Sequence, residues 1–270
     1  MRKLLVSLIV SIILLFNVTV VNAEGLSANA VFNTAQLDSG IIKVAYSTDA
    51  DKKLKVMVEK SGKRISYNLK NDGTVESFPL QFGNGEYKVS VMENLEGTKY
   101  KYVSTEDVSL SLDDQNNVYL ASVQNINWNE DMAAIKKAEE LTKDLKSEQE
   151  KVKAIYTYIV SNFKYDYDKL SKLGYDYLPD IDSTLATNEG ICYDYSSTLA
   201  AMLRSQGIPT KLVKGYAKNV NGYHAWNEIY NNETGNWDII DTTYDSQMKA
   251  AKAKYAMTKK SDEYTKVNEY

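Results

Sequence analysis

Gly190-Ile191-Cys192-Tyr193-Asp194-Tyr195-Ser196-Ser197-Thr198-Leu199-Ala200-Ala201-Met202-Leu203-Arg204-Ser205-Gln206-Gly207-Ile208-Pro209 reads as one helix with marked ends. Tyr195, Leu199, Met202 and Leu203 fall on one face at helical spacing. Gly190 closes the preceding loop, so the helix starts near Cys192. Gly207 and Pro209 stop it. Beyond the stop the period changes from 3.6 to two. A strand is predicted over residues 210–217, the Asn221-Gly222 turn reverses it, and a second strand covers residues 223–230. A loop with Gly235 leads to a third strand over residues 237–241. A helix followed by an antiparallel set predicts an α+β fold.

Upstream, Met132, Ile135, Ala138, Leu141 and Leu145 recur at helical spacing. Ser147-Glu148-Gln149-Glu150 is a capping box. It opens a helix whose apolar stripe is Val152, Ile155, Tyr156, Ile159, Val160 and Phe163. Residues 164–188, rich in tyrosine and aspartate, read as a loop able to line a cleft. Before residue 113 the signals are those of strands. Ile41-Ile42-Lys43-Val44-Ala45-Tyr46, Leu54-Lys55-Val56-Met57-Val58 and Tyr87-Lys88-Val89-Ser90-Val91 are separated by Asp72-Gly73 and Asn84-Gly85, and Glu96-Gly97 follows as a further turn. Residues 24–112 are therefore expected to form a small all-β, sandwich-like domain, a spacer or docking module without chemistry of its own. Residues 113–270 are expected to carry the function.

Residues 1–23 have the layout of a secretory leader. Arg2 and Lys3 precede an apolar run over residues 4–16, and Val21-Asn22-Ala23 is a small-residue cleavage site. The mature chain is expected to start at Glu24 and to be secreted or held at the cell surface, touching a membrane only through an uncleaved leader. Removing the leader loses two cations and no acids, moving the formal charge from −4 to −6. An acidic balance argues against a nucleic-acid partner. With 43 % hydrophobic residues the chain can bury a core. Its single cysteine cannot form an internal disulfide, which leaves an inert thiol, an intermolecular bridge or a nucleophile.

The neighbours of Cys192 favour the nucleophile. A helix N-terminus stabilises a thiolate through its dipole and free amides. The backbone amide of Cys192 is itself a candidate oxyanion donor. A thiol enzyme needs a base that titrates near neutrality, and His224 is the chain's one histidine. Trp226 follows two residues on, on the same strand face, where its indole would shield the site from water. Trp237, Ile239 and Asp241 share a face of the next strand. An acid ending an apolar strand is costly if buried unpaired, and pairing with His224 would satisfy it. One cysteine and one histidine fall short of a zinc ligand set, so neither metal nor cofactor is expected.

These residues, with Gly215-Tyr216, His224-Ala225-Trp226-Asn227-Glu228-Ile229-Tyr230 and Ile240-Asp241-Thr242-Thr243, resemble the bacterial transglutaminase-like core over about residues 115–250. The resemblance implies a papain-like fold and a Cys-His-Asp triad at Cys192, His224 and Asp241. It further implies acyl transfer through a thioester, with a protein or cell-wall peptide as substrate. A cysteine protease or amidase would use the same triad; a non-catalytic surface module is the other class of function. The pattern departs at one point. Transglutaminases take a second oxyanion donor from a tryptophan upstream of the cysteine, and no tryptophan lies between Trp128 and Cys192. Tyr165 and Tyr167 are the candidates to stand in for it.

Overall fold

The computed structural model describes residues 30–174 and 176–270. The leader expected over residues 1–23 lies outside the described residues, as do the first residues of the expected N-terminal domain. Seven strands come first: β1 (Val31–Asn33), β2 (Ile41–Ala45), β3 (Leu54–Lys60), β4 (Lys63–Leu69), β5 (Glu76–Pro79), β6 (Gly85–Glu96) and β7 (Lys99–Leu110). They form two antiparallel sheets, β1-β2-β5 and β4-β3-β6-β7. The period-two runs quoted above are β2, β3 and β6. Their inward residues Ile42, Val44, Val56, Val58, Val89 and Val91 are fully buried. The polar-rich β4 and β7 carry weaker signals and pair onto them.

Helices begin after this point, with α1 (Ala133–Thr142) and α2 (Glu148–Asn162). The capping box is formed: Glu150 N–H donates to Ser147 Oγ at 3.2 Å, and Ser147 N–H to Glu150 Oε2 at 3.2 Å. The stripe read on α2 is its buried face. Residues 164–188 are more regular than a loop. They hold β8 (Lys164–Tyr165), α3 (Tyr167–Lys172) and α4 (Ile181–Thr187), and β9 (Glu189–Gly190) follows. Asp166 and Asp180 cap the two short helices, accepting from the N–H groups of Lys169 and Ser183. Aspartates that read as loop residues are thus helix starts, as their side chains favour.

The helix α5 (Cys192–Arg204) follows, then β10 (Thr210–Ala217), β11 (His224–Asn231), β12 (Asn236–Ile240), α6 (Thr242–Ala250) and β13 (Tyr264–Glu269). The third sheet is antiparallel in the order β12-β11-β10-β13. All of α5 after Cys192 is buried, so it is the central helix of this half. Its fully buried Leu199, Met202 and Leu203 each contribute about 1.5–3 kcal/mol by leaving water. The fold is α+β, as the period change predicts: helices packed on an antiparallel sheet, preceded by a small sandwich-like set of strands.

One core runs through both parts. Tyr67 of β4 packs against Phe78 and against Tyr270, with centroids 5.1 and 5.7 Å away. Tyr119 donates to Glu269 Oε1 at 2.9 Å. Arg204, at the end of α5, is buried with its three bonds on backbone oxygens of Thr210, Ala121 and Tyr270. Desolvation pulls its guanidinium down to about 9. These contacts fix the end of α5 against the sheet and against Ala121 at once.

Candidate active site

The chain enters α5 through extended Ile191 (φ −94°, ψ 176°), so Cys192 is the first helical residue. It opens a helix of 13 residues. Its amide is among the four that no helical carbonyl satisfies, and the dipole's positive end lies at the thiol. Cys192 is half-buried.

The entry is locked by Asp194, which is fully buried. Its Oδ2 accepts the Ile191 N–H at 2.8 Å and Lys169 Nζ at 3.0 Å; its Oδ1 accepts the Tyr177 hydroxyl. Lys169 and Tyr177 are thereby tied to the start of α5. Gly190 makes the close approach possible, since a Cβ there would stand 2.7 Å from Asp194 Cβ. Gly190 also pairs with Tyr165 in the parallel β8–β9 ladder.

His224 opens β11 opposite Gly215 of β10. Asp241 lies one residue beyond β12, which pairs with β11 in the register Asn227 to Ile240. His224 Nε2 and Asp241 Oδ2 are 2.8 Å apart, with both side chains almost fully buried. That bond engages Nε2 and leaves Nδ1 open, and Cys192 lies close enough to bear on the imidazole. Burial works against a charged ring. The bond and charge of Asp241, and then those of Cys192, outweigh it and push His224 up to about 10. A protonated imidazole is the state this favours at neutral pH.

Asp241 also caps α6: its Oδ1 accepts the Tyr244 N–H at 2.9 Å. The strand read over residues 237–241 therefore ends one residue earlier, at Ile240. The helix α6 is held from α2 by Tyr156, which donates to Asp245 at 2.7 Å. A third partner for Asp241 comes from β13, where Tyr264 donates to Oδ2 at 2.9 Å. Sequence reasoning missed Tyr264 because β13 is short, with Thr265 and Val267 as its β-branched signal.

Trp226 is 1 % exposed and lies beside the imidazole, its ring 29° from the imidazole plane at 6.3 Å. Its indole N–H is buried without a partner, and its ring covers His224. The ring fits because residue 215 is glycine. A Cβ there would stand 2.9 Å from the indole and 2.1 Å from the Thr265 carbonyl oxygen. Gly215→Ala is expected to push β13 away from β10 and carry Tyr264 off Asp241. The cost is about 1–3 kcal/mol of stability, with a matching fall in activity. Thermal melts and rates measured together check this; a variant with unchanged melting temperature contradicts it.

The two tyrosine candidates separate. Tyr165 is half-buried, and burial, then the charge of Cys192, push its hydroxyl up to about 12. It therefore stays a proton donor at neutral pH. Tyr167 is 67 % exposed and donates to Gln247 of α6 at 3.1 Å. Its ring buttresses that of Tyr165 at 4.8 Å. The structure thus brings His224, Asp241 and Trp226 together, pairs Tyr165 with Gly190 two residues before Cys192, and bonds the Tyr167 hydroxyl to Gln247. Among the described residues no cluster of three metal-ligating side chains occurs. No described helix is long and apolar enough to cross a membrane.

Residues 135–242 match the profile of the Transglutaminase-like superfamily. A segment of 122 residues is 34 % identical to the uncharacterised protein YebA of Bacillus subtilis, covering 38 % of this chain and 16 % of YebA. A segment of 118 residues is 28 % identical to the kyphoscoliosis peptidase of Mus musculus, covering 40 % of this chain and 17 % of the peptidase. The chain thus spans less than a fifth of the length of these relatives. Among solved structures, the periplasmic domain of TgpA from Pseudomonas aeruginosa is 19 % identical with a TM-score of 0.38, over 76 % of this chain and 72 % of that one. Red sea bream transglutaminase is 12 % identical with a TM-score of 0.33, over 75 % and 48 %. By the profile match over its central helix and sheet, the chain carries a domain of the transglutaminase-like superfamily.

Proposed function

We propose that the protein is an exported cysteine enzyme that transfers the acyl group of a protein or peptide amide through a thioester on Cys192. The observation that supports this reading is the buried imidazole of His224, bonded to Asp241 at 2.8 Å, with Cys192 at the start of α5 close enough to raise it further. In the proposed first step the Cys192 thiolate attacks the amide carbonyl carbon. The oxygen that becomes negative is met by the Cys192 amide and, as second donor, the Tyr165 hydroxyl. The His224 imidazolium then gives its proton to the leaving nitrogen, and the C–N bond breaks to leave the thioester. In the second step neutral His224 takes a proton from water or from an amine, which attacks the thioester and frees Cys192. Asp241 holds Nε2 throughout, so the nitrogen facing the thiol is the one that exchanges protons.

Whether water or an amine completes the reaction decides between hydrolase and transferase. The test uses protein recovered from outside the cell, whose first residue also reads on cleavage after Ala23. It is incubated with glutamine-bearing protein and cell-wall peptide, with and without a labelled primary amine. Amine incorporation with ammonia release identifies a transferase, and ammonia or peptide fragments without incorporation identify an amidase or protease. No product from any substrate, together with no labelling of Cys192 by a thiol-directed electrophile, would overturn the proposal in favour of a non-catalytic module.

A further inference from the structure

Tyr264 opens β13, opposite Ala217 of β10. Its hydroxyl donates to Asp241 Oδ2 at 2.9 Å, the same oxygen that faces His224 Nε2 at 2.8 Å. Its ring stands edge-on to that of Trp226, with centroids 5.0 Å apart and planes at 63°. Two side chains thus share one carboxylate oxygen, and one of them is the imidazole. Asp241 and His224 are both buried, so the sharing takes place out of water. Tyr264 is not needed to hold the carboxylate in place. Oδ1 accepts the Tyr244 N–H at 2.9 Å, the Asp241 carbonyl accepts the Asp245 N–H at 3.1 Å, and the preceding Ile240 is paired with Asn227 of β11. Those bonds fix Asp241 through the first turn of α6 whether or not residue 264 carries a hydroxyl.

A carboxylate's hold on an imidazolium weakens when a second donor draws on the same oxygen, and more so in a low-dielectric interior. We propose that Tyr264 is a positioning residue of the candidate site that acts through Asp241: its hydroxyl draws on Oδ2 and so holds back the carboxylate's pull on the His224 ring proton. The inference rests on the triad reading above. In that chemistry His224 gives a proton to the leaving nitrogen, and an imidazolium held too tightly is a poor acid. Other ionisable groups face the pair. Cys192 of α5 acts on His224, and Asp245 of α6 and Tyr156 of α2 face Asp241. Lys259 is paired with Asp245, and Glu263 acts on Tyr264. Of these groups, Tyr264 alone bonds the oxygen that His224 uses. Burial, then the charge of Asp241, pushes the Tyr264 hydroxyl well above the ordinary phenol range, so it stays a donor at neutral pH.

His224 is the chain's one histidine, so its ring signals in a proton NMR titration need no assignment. The titration is run on the full chain in the Cys192→Ala background, where no thiol titrates beside the ring, with Tyr264 kept and with Tyr264→Phe. Phenylalanine keeps a ring against Trp226 and removes the donor. The His224 midpoint is expected to rise by about half to one pH unit in Tyr264→Phe, a roughly three- to tenfold tighter hold on the proton. A midpoint that stays or falls overturns the inference and leaves the triad standing. A midpoint near the ordinary value of about 6.5 with Tyr264 in place removes the Asp241 pairing itself, and with it both the inference and the mechanism. A thiol that fails to react in the chain with Cys192 intact, beside a midpoint that rises, overturns the proposed function and upholds the tie between Tyr264 and His224. Should Tyr264→Phe fail to fold, a ring-fluorinated tyrosine at position 264 decides. It is a stronger donor of nearly the same size, so the His224 midpoint is expected to fall, and one that stays or rises overturns the inference.

Discussion

Cys192→Ala should abolish turnover and electrophile labelling while leaving the melting temperature within a few degrees of wild type. The rate loss follows from the proposed chemistry, because without the thiol no thioester forms. Deleting the nucleophile of a comparable triad costs about 10⁶-fold in kcat, and what survives comes from the oxyanion donors and binding. The small effect on stability follows from the site. Cys192 is half-buried and fills little of the core, and alanine is the best helix former. The first turn of α5 is held by Asp194 and the Ile191 amide, which the substitution leaves in place. One secondary effect is expected. Part of what raises His224 is its bond to, and the charge of, Cys192, so the imidazole should titrate lower in the variant. Mass spectrometry after electrophile treatment, product formation and a thermal melt measure all of this on one preparation. Activity persisting in Cys192→Ala would remove the nucleophile from the proposal, whatever the geometry around it.

The parts of this arrangement legible in the sequence are those with local causes. The position of α5 follows from Gly190, Gly207 and Pro209, which act on the backbone wherever they stand. The β10–β11 hairpin follows from the turn at Asn221-Gly222 and the period of two. The contact between His224 and Asp241 follows from strand periodicity together with the cost of burying an acid alone. What was not legible depends on partners distant in the chain. Tyr264 reaches Asp241 because β13 joins the sheet next to β10. No residue near Asp241 announces that pairing. Asp194 reads as one more acid in an acidic region until Lys169 and Tyr177 fold back onto it. The short helices α3 and α4 are too brief for a periodic stripe, and their aspartate caps look like turn residues.

Asp241→Asn should slow turnover by about two to four orders of magnitude while the chain stays folded. Asp241 accepts three bonds, from His224 Nε2, the Tyr264 hydroxyl and the Tyr244 amide. Asparagine has one acceptor oxygen and one amino group, so it cannot serve all three. If its oxygen caps Tyr244, the amino group faces Nε2 and accommodates the tautomer protonated on Nδ1. That tautomer cannot take a proton from the thiol. If the oxygen turns to Nε2, the helix loses its cap at a cost of about 1 kcal/mol. The imidazolium in either case faces a neutral partner. The pH dependence of stability separates this from a simple packing defect. In the folded wild type His224 is raised to about 10, against an unperturbed value near 6.5. A raised value adds stability that is fully present below about 6.5 and is lost as pH climbs through about 10. Removing the Asp241 charge removes most of that increment. Asp241→Asn should therefore melt well below wild type at pH 6, and the gap should narrow toward pH 10. A packing defect would give the same gap at both. Rates measured with thermal melts across that range check both halves, and a variant within tenfold of wild type in kcat/KM would return Asp241 to the role of a helix cap.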